Sequence, residues 1–395
     1  MRSAVGRAVL FRSVALVLGV ASGVVIARLG GAELKGVASA FAAANAVAFM
    51  FINFDAAQQA LRLSRTEGSK AYAWALLRWV WGAYVVLGGG ALLAAALWGA
   101  DALWIVAGAT AFALGAQAGV AAVGMKGPVV GAVGAVIQQL ALIIAVCVLA
   151  SLGALDGESI KLATVVSYVA PTVIYVPYVL RAASGDRRRV SAGDAVLSLA
   201  KGLPWQAGRL MQVCLQKLDV LAVFAVLGAA AAGQYSVGVS TAMLCTLVPA
   251  QFAGQALHDA VHGREAAALN RIRRGLYSGA AVGIGLAGVG YPLITLLYGA
   301  EFTDAYSVLL ATLPGAIAYG VVQVQSNYIR VTSAWYVFFA IGAAGVFVML
   351  VAIVAFTVVV PLGMVGVGIG FSAGAITTAG VGMIPFVRRQ SEPSD

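Results

Sequence analysis

KGLPWQAGRLMQVCLQKLDV, residues Lys201–Val220, carries two lysines, an arginine and an aspartate into an apolar run that continues to Gly228. Its surroundings decide how it is read. The 395-residue chain is 62% hydrophobic and 10% charged, with a mean hydropathy of +0.95. One soluble core cannot hide that much apolar surface, so the solvent is lipid. Backbone in hydrocarbon must satisfy its own hydrogen bonds, and the apolar runs are about 20 residues long rather than alternating ten-residue strands, so the spans are helices. The expected fold class is an all-α polytopic membrane protein, with Lys201–Val220 at the start and middle of one span.

Breaks at charged or Gly/Pro-containing stretches give about twelve transmembrane helices, at 8–28, 37–61, 73–99, 102–124, 128–152, 160–180, 195–228, 233–256, 276–298, 305–329, 335–360 and 363–386. With the N-terminus inside, seventeen basic residues share the cytoplasmic side: Arg2, Arg7, Arg62, Arg65, Lys70, Lys126, Arg181, Arg187, Arg188, Arg189, Arg264, Arg271, Arg273, Arg274, Arg330, Arg388 and Arg389. The opposite loops hold three, Arg28, Lys35 and Lys161. This bias predicts a multi-pass protein with both termini cytoplasmic, and arginine outnumbering lysine 19 to 6 in an Ala/Gly/Val-rich chain points to a bacterial inner (plasma) membrane. The net charge of +10, which in a soluble chain would suggest nucleic acid, is topology information here, and no nucleic-acid partner is expected.

The loop RAASGDRRRVSAGD, 181–194, is the natural midpoint and divides the chain into six-helix bundles at 1–186 and 187–395. An internal echo supports the division: ARLGGA at 27–32 and AVLGAA at 225–230 each end the first span of their half. Arg12 lies 18 residues before Gly30, and Arg209 lies 19 before Gly228. Two pseudo-symmetric bundles around a central cavity is a transporter architecture. No loop exceeds about twenty residues and no G-x-x-x-x-G-K-[ST] occurs, which leaves no room for a soluble catalytic or ATPase domain. An enzyme is therefore not expected, nor a cofactor beyond a coupling ion, Na+ or H+. Cys147, Cys214 and Cys245 are scattered through apolar runs and read as small packing residues. Arg12 interrupts the first apolar run, which argues for a first span rather than a removed signal peptide.

On a helical wheel Asp194, Ser198, Lys201, Trp205, Arg209, Gln212, Gln216 and Asp219 fall within an arc of about 80°. A charge at the centre of a lipid-facing helix costs roughly 2.5–3.5 kcal/mol, so this face meets protein or water. Two readings stand: hydrogen bonds and ion pairs that hold helices together, or a water-filled cavity with a cationic patch suited to an anionic substrate. Lys217, on the far side of the wheel, snorkels outward or pairs elsewhere. Tyr319, Gln323, Ser326, Asn327 and Arg330 share an arc of about 100°, a face that can hydrogen-bond sugar hydroxyls. Asp55 groups with Gln59 and Arg62 and pairs with Arg12 or serves as a gate or proton-coupling carboxylate. Gln117, Gln138 and Gln139 read as inter-helix hydrogen bonds. HDAVH, His258–His262, has Asp where the H-E-x-x-H zinc motif has Glu and lacks a third ligand, so no metal site is expected. Gly366–Gly374, GVGIGFSAG, holds two overlapping G-x-x-x-G units and predicts close helix packing.

Four stretches together resemble the polysaccharide (O-antigen type) flippase family of the MOP exporter superfamily, which also includes lipid II flippases and MATE drug antiporters. They are ARLGGAELKG (27–36), LDVLAVFAVLGAAAAGQYSVGVSTAMLCTLVPAQF (218–252), YPLITLLYGAEFTDAYSVLLATLPG (291–315) and VPLGMVGVGIGFSAG (360–374). The resemblance implies a cavity that alternates between leaflets and carries a polyprenyl-pyrophosphate-linked oligosaccharide outward. Its implied partners are membrane lipids, the lipid-linked glycan, and glycan polymerase and export machinery. Arg12, Arg209 and Lys201 would then hold the pyrophosphate, which charge and bidentate hydrogen bonding suit. Gln212, Gln216, Gln323 and Asn327 would meet the sugars. A cation-coupled multidrug antiporter, with Asp55 or Asp219 as the coupling acid, is the alternative, against which the basic stripe argues. A membrane glycan polymerase or ligase would need a larger outer loop than the ten or so residues present.

Overall fold

The computed structural model describes residues 2–53, 99–126, 128–183, 192–261 and 265–391, with isolated positions from 89 to 97. Its helices are α1 (Arg2–Asn53), α2 (Ala100–Lys126), α3 (Pro128–Ser151), α4 (Gly157–Val169), α5 (Thr172–Ala183), α6 (Ala192–Leu227), α7 (Ala229–Ala242), α8 (Leu247–Val261), α9 (Glu265–Tyr298), α10 (Ala305–Thr332), α11 (Trp335–Val354) and α12 (Gly363–Ser391). No strand occurs among the described residues.

Ten stretches of the described residues are long and apolar enough to cross a membrane. The first, Leu10–Phe51, holds two of the expected spans, because the helix turns at Gly31 (φ 68°, ψ −172°). The span expected at 73–99 lies almost wholly outside the described residues. Lipid-facing positions are large and aliphatic, such as Ile144, Val173, Ile284 and Leu296, while many fully buried ones are alanines, such as Ala109, Ala122, Ala232 and Ala316. This is the membrane arrangement: lipid is as apolar as leucine, so helices associate through small residues that let backbones approach.

The chain forms two compact units. Unit 1 is Met1–Gly30 with Phe41–Gln206, and unit 2 is Gly31–Ala40 with Ala207–Asp395. In unit 1, α2 packs on α3, α4 and α5. Phe112 fits between Phe49 and Tyr168, with ring centroids 4.7 and 4.9 Å away. Gln139 accepts from Ser22 Oγ at 3.2 Å, as expected of an inter-helix amide. Asp156 caps α4 by accepting from Ser159 N at 2.8 Å, a bond that holds its carboxyl below the usual carboxylate range. Lys161 bridges Asp101 at 2.6 Å and Glu158 at 2.7 Å, joining α2 to α4. Both acids are exposed, so the bridge contributes about 1 kcal/mol or less. Lys161→Met is expected to lower the melting temperature slightly in low salt and not at all in 1 M salt, where screening has already removed the attraction.

In unit 2, α10 is central and packs on α7, α8, α9 and α12, while α11 packs on α12. The predicted glycine contact forms: a Cβ on Gly374 would lie 2.6 Å from Gly345 O, and one on Gly370 would lie 3.1 Å from Ile353 N. Two further glycines make a reciprocal crossing. A Cβ on Gly36 would run into Ala229 O, and a Cβ on Gly233 would run into Ala32 O.

This crossing corrects the internal echo by one residue. Gly31 and Gly228 share a conformation only glycine adopts readily, φ 68° and 87° with ψ −172° and 177°. Gly31 and Gly228, Ala32 and Ala229, and Gly36 and Gly233 are each 197 residues apart, and so are Arg12 and Arg209. A second echo, LWGAD at 97–101 and LYGAE at 297–301, sets Gly99 and Gly299 200 residues apart, again both with positive φ. Among the described residues the remaining positive-φ glycines are Gly153 and Gly363, so in the twelve-span count each of these six closes an odd-numbered span.

Candidate functional site

Helix α6 runs 36 residues through Pro204, and its polar face meets α10 in unit 2. Gln212 Nε2 donates to Ser326 Oγ, and Gln216 Nε2 donates to Tyr319 OH, so the two helices lie antiparallel in register. Ser326 Oγ donates on to Val322 O at 2.6 Å, and the Gln323 side chain meets the same Tyr319 hydroxyl. Continuing the register carries Arg209, one turn before Gln212, to the level of Asn327 and Arg330. The Arg330 guanidinium stands 5.9 Å from the Phe338 ring centre. Arg209, Gln212, Gln216, Gln323 and Asn327 are all half-buried. The structure therefore joins Gln212, Gln216 and Gln323 through Ser326 and Tyr319, with Arg209 and Asn327 on the neighbouring turns of the same two helices. The amides tie α6 to α10, while a guanidinium beside amides and hydroxyls forms a face that can bind an oxyanion or a hydroxyl-rich group.

Other expected residues lie elsewhere. Arg12 is exposed on α1. Lys201 sits on α6 with its side chain outside the described residues, as are Asp55 and His262 altogether. Asp219 is fully buried and faces away from solvent: Tyr235 OH donates to its Oδ2 at 2.9 Å and Val220 N to its Oδ1 at 2.8 Å. It thus fastens the α6–α7 hairpin, and Lys217 lies within electrostatic reach of it. Cys214 and Cys245 are buried and Cys147 is exposed, all as free thiols.

Three features escaped the sequence reading. Gln206, on α6, is buried and its amide donates to Met50 O. Asn45 is fully buried against Gly108, with Nδ2 donating to Phe41 O at 2.9 Å. Lys35 comes within electrostatic reach of Lys217, a meeting of residues 182 positions apart that no local pattern announces.

No protein-family model and no curated protein sequence matches the chain. Its fold does match solved structures. A mutant MATE transporter aligns at 16% identity with a TM-score of 0.70, over 98% of this chain and 96% of that one. The lipid II flippase MurJ in an inward closed conformation aligns at 11% identity with a TM-score of 0.70, over 97% and 88%. A MOP superfamily transporter from Pyrococcus furiosus, described by the reverse polarity of its binding pocket, aligns at 14% with a TM-score of 0.60, over 98% and 94%. At these identities the likeness is one of fold: the chain is a polytopic membrane protein with the fold of MATE and MurJ transporters, and these structural relatives are transporters and a flippase, not enzymes.

Proposed function

We propose that the protein is a flippase that moves a polyprenyl-pyrophosphate-linked oligosaccharide from the cytoplasmic to the outer leaflet of a bacterial inner membrane by alternating access. The observation that carries this reading is the half-buried face of Arg209, Gln212, Gln216, Gln323 and Asn327. Arg209 binds the diphosphate, with Lys201 and Arg12 as further cations, and the amides meet the sugars. Arg12 and Arg209 precede their turn glycines by the same 19 residues, which supports giving them one role in two repeats. Transport needs no bond cleavage, and the driving force is a Na+ or H+ gradient or the removal of product by polymerase and export machinery. Fold likeness to MATE structures supports a second reading, a cation-coupled multidrug antiporter with Asp219 or Asp55 as the coupling acid.

Mass spectrometry of polyprenyl-linked glycans separates the two. A deletion strain and its Arg209→Ala complement are expected to accumulate one lipid-linked repeat unit that the wild-type complement clears. Absence of such a lipid, with raised sensitivity to cationic drugs, would replace the flippase reading by the antiporter.

A further inference from the structure

Lys35 and Lys217 stand apart from the Arg209 face, and three elements of unit 2 bring them together. Lys35 adjoins Gly36, whose backbone abuts Ala229 and Gly233 at the start of α7. Two residues beyond Gly233, Tyr235 reaches across to Asp219 of α6. Lys217 lies two residues before Asp219 and within electrostatic reach of both Asp219 and Lys35. Neither ammonium makes an ion pair or hydrogen bond with any described residue, and both side chains are partly open.

The charges do not balance. Among the described residues Asp219 is the one carboxylate in the cluster and it already accepts from Tyr235 and Val220, so two ammonium groups share an acceptor that is already engaged. Like charges within electrostatic reach in a medium of low dielectric repel, and an excess of intramembrane cations over carboxylates marks a site for an anion. An oxyanion between the two lysines supplies the missing charge and accepts from both.

We propose that Lys35 and Lys217 form a second anion site, for a phosphate-type oxyanion, near the α6–α7 turn. Lys201, Arg209 and Lys217 recur every eight residues on α6, so successive cations are about 12 Å apart along its axis. An anion leaving Arg209 thus meets the next cation one short step along. The anion comes from the diphosphate of the cargo, in which case the site rests on the flippase reading, or from a phospholipid headgroup, in which case it does not.

The test uses the full chain in phosphatidylcholine nanodiscs. Inorganic pyrophosphate is titrated by calorimetry, and phosphatidylglycerol retained from mixed nanodiscs is counted by native mass spectrometry. Wild type, Lys35→Gln, Lys217→Gln, Lys217→Arg and Arg209→Gln are compared, each first shown monodisperse. Wild type is expected to bind two pyrophosphates, one weakened about tenfold by either lysine-to-glutamine change and the other by Arg209→Gln, with Lys217→Arg retaining both. Retained phosphatidylglycerol that falls by one with the lysine variants, while pyrophosphate binding does not change, assigns the site to a headgroup. If neither anion responds to Lys35→Gln and Lys217→Gln, the site does not exist. Should Lys217→Gln fail to fold, Lys35→Gln decides alone. Loss of binding in Arg209→Gln is scored separately, so either site can fail without the other.

Discussion

Gly36→Ala and Gly233→Ala variants are expected to yield little monodisperse protein in detergent extracts. Each added methyl would occupy the position of a backbone carbonyl, Ala229 O or Ala32 O, on the opposing helix. A flexible side chain can turn away from a new Cβ, but a helical carbonyl cannot without breaking its own hydrogen bond. The cost therefore lies at or above the top of the about 1–3 kcal/mol usual for overpacking. Gly285→Ala and Gly288→Ala in α9 are the controls, because open space surrounds both glycines. Alanine there raises helix propensity by about 1 kcal/mol and leaves the yield intact or higher. Fluorescence-detected size exclusion reads all four. Equal yields for Gly36→Ala and Gly288→Ala would show that the 32–36/229–233 crossing is loose.

A second large effect is expected at Asp219. Its replacement by alanine leaves the Tyr235 hydroxyl and Val220 amide without an acceptor and removes the carboxylate within reach of Lys217. Removing one member of a buried charged group costs about 3–5 kcal/mol, most of it from the charge left behind. Asp219→Ala should therefore lower the melting temperature sharply, and Asp219→Ala with Lys217→Met should recover part of that loss. Asp219→Asn, which keeps an acceptor for Tyr235, should fall between. An additive double mutant would mean that Lys217 and Asp219 do not interact.

The spans were legible because the information lies in composition along one dimension. The expected 305–329 became Ala305–Thr332, and the expected 195–228 became Ala192–Leu227. The polar face of α6 was legible too, since a wheel needs only helical spacing, and the amides it grouped do meet Tyr319 and Ser326. The wheel misgrouped Asp219 with the amides, because it allows one polar side per helix, whereas that carboxylate turns to Tyr235 of α7 and lies within reach of Lys217. In the structure α6 meets α10 through one set of residues and presents Lys217 to the 31–40 segment through another. The echo was misplaced by one residue because Gly30 and Gly31 are the same letter, and only the backbone angle shows which one turns. LWGAD and LYGAE were equally readable, but a five-residue match in an Ala/Gly-rich chain gains weight only when both glycines prove to have the same hand.

The placement of the six positive-φ glycines bears on how the chain is laid into a bilayer. Gly31, Gly99 and Gly228 adjoin the next helix directly, Gly363 opens it, and Gly153 and Gly299 stand four and six residues before it. Each pair of described spans joined at such a glycine can enter hydrocarbon as a closed hairpin, and its leading end carries only a handful of uncapped peptide groups. Dragging unpaired peptide groups through lipid is the costly part of insertion. A connection of this length keeps that penalty small for each hairpin.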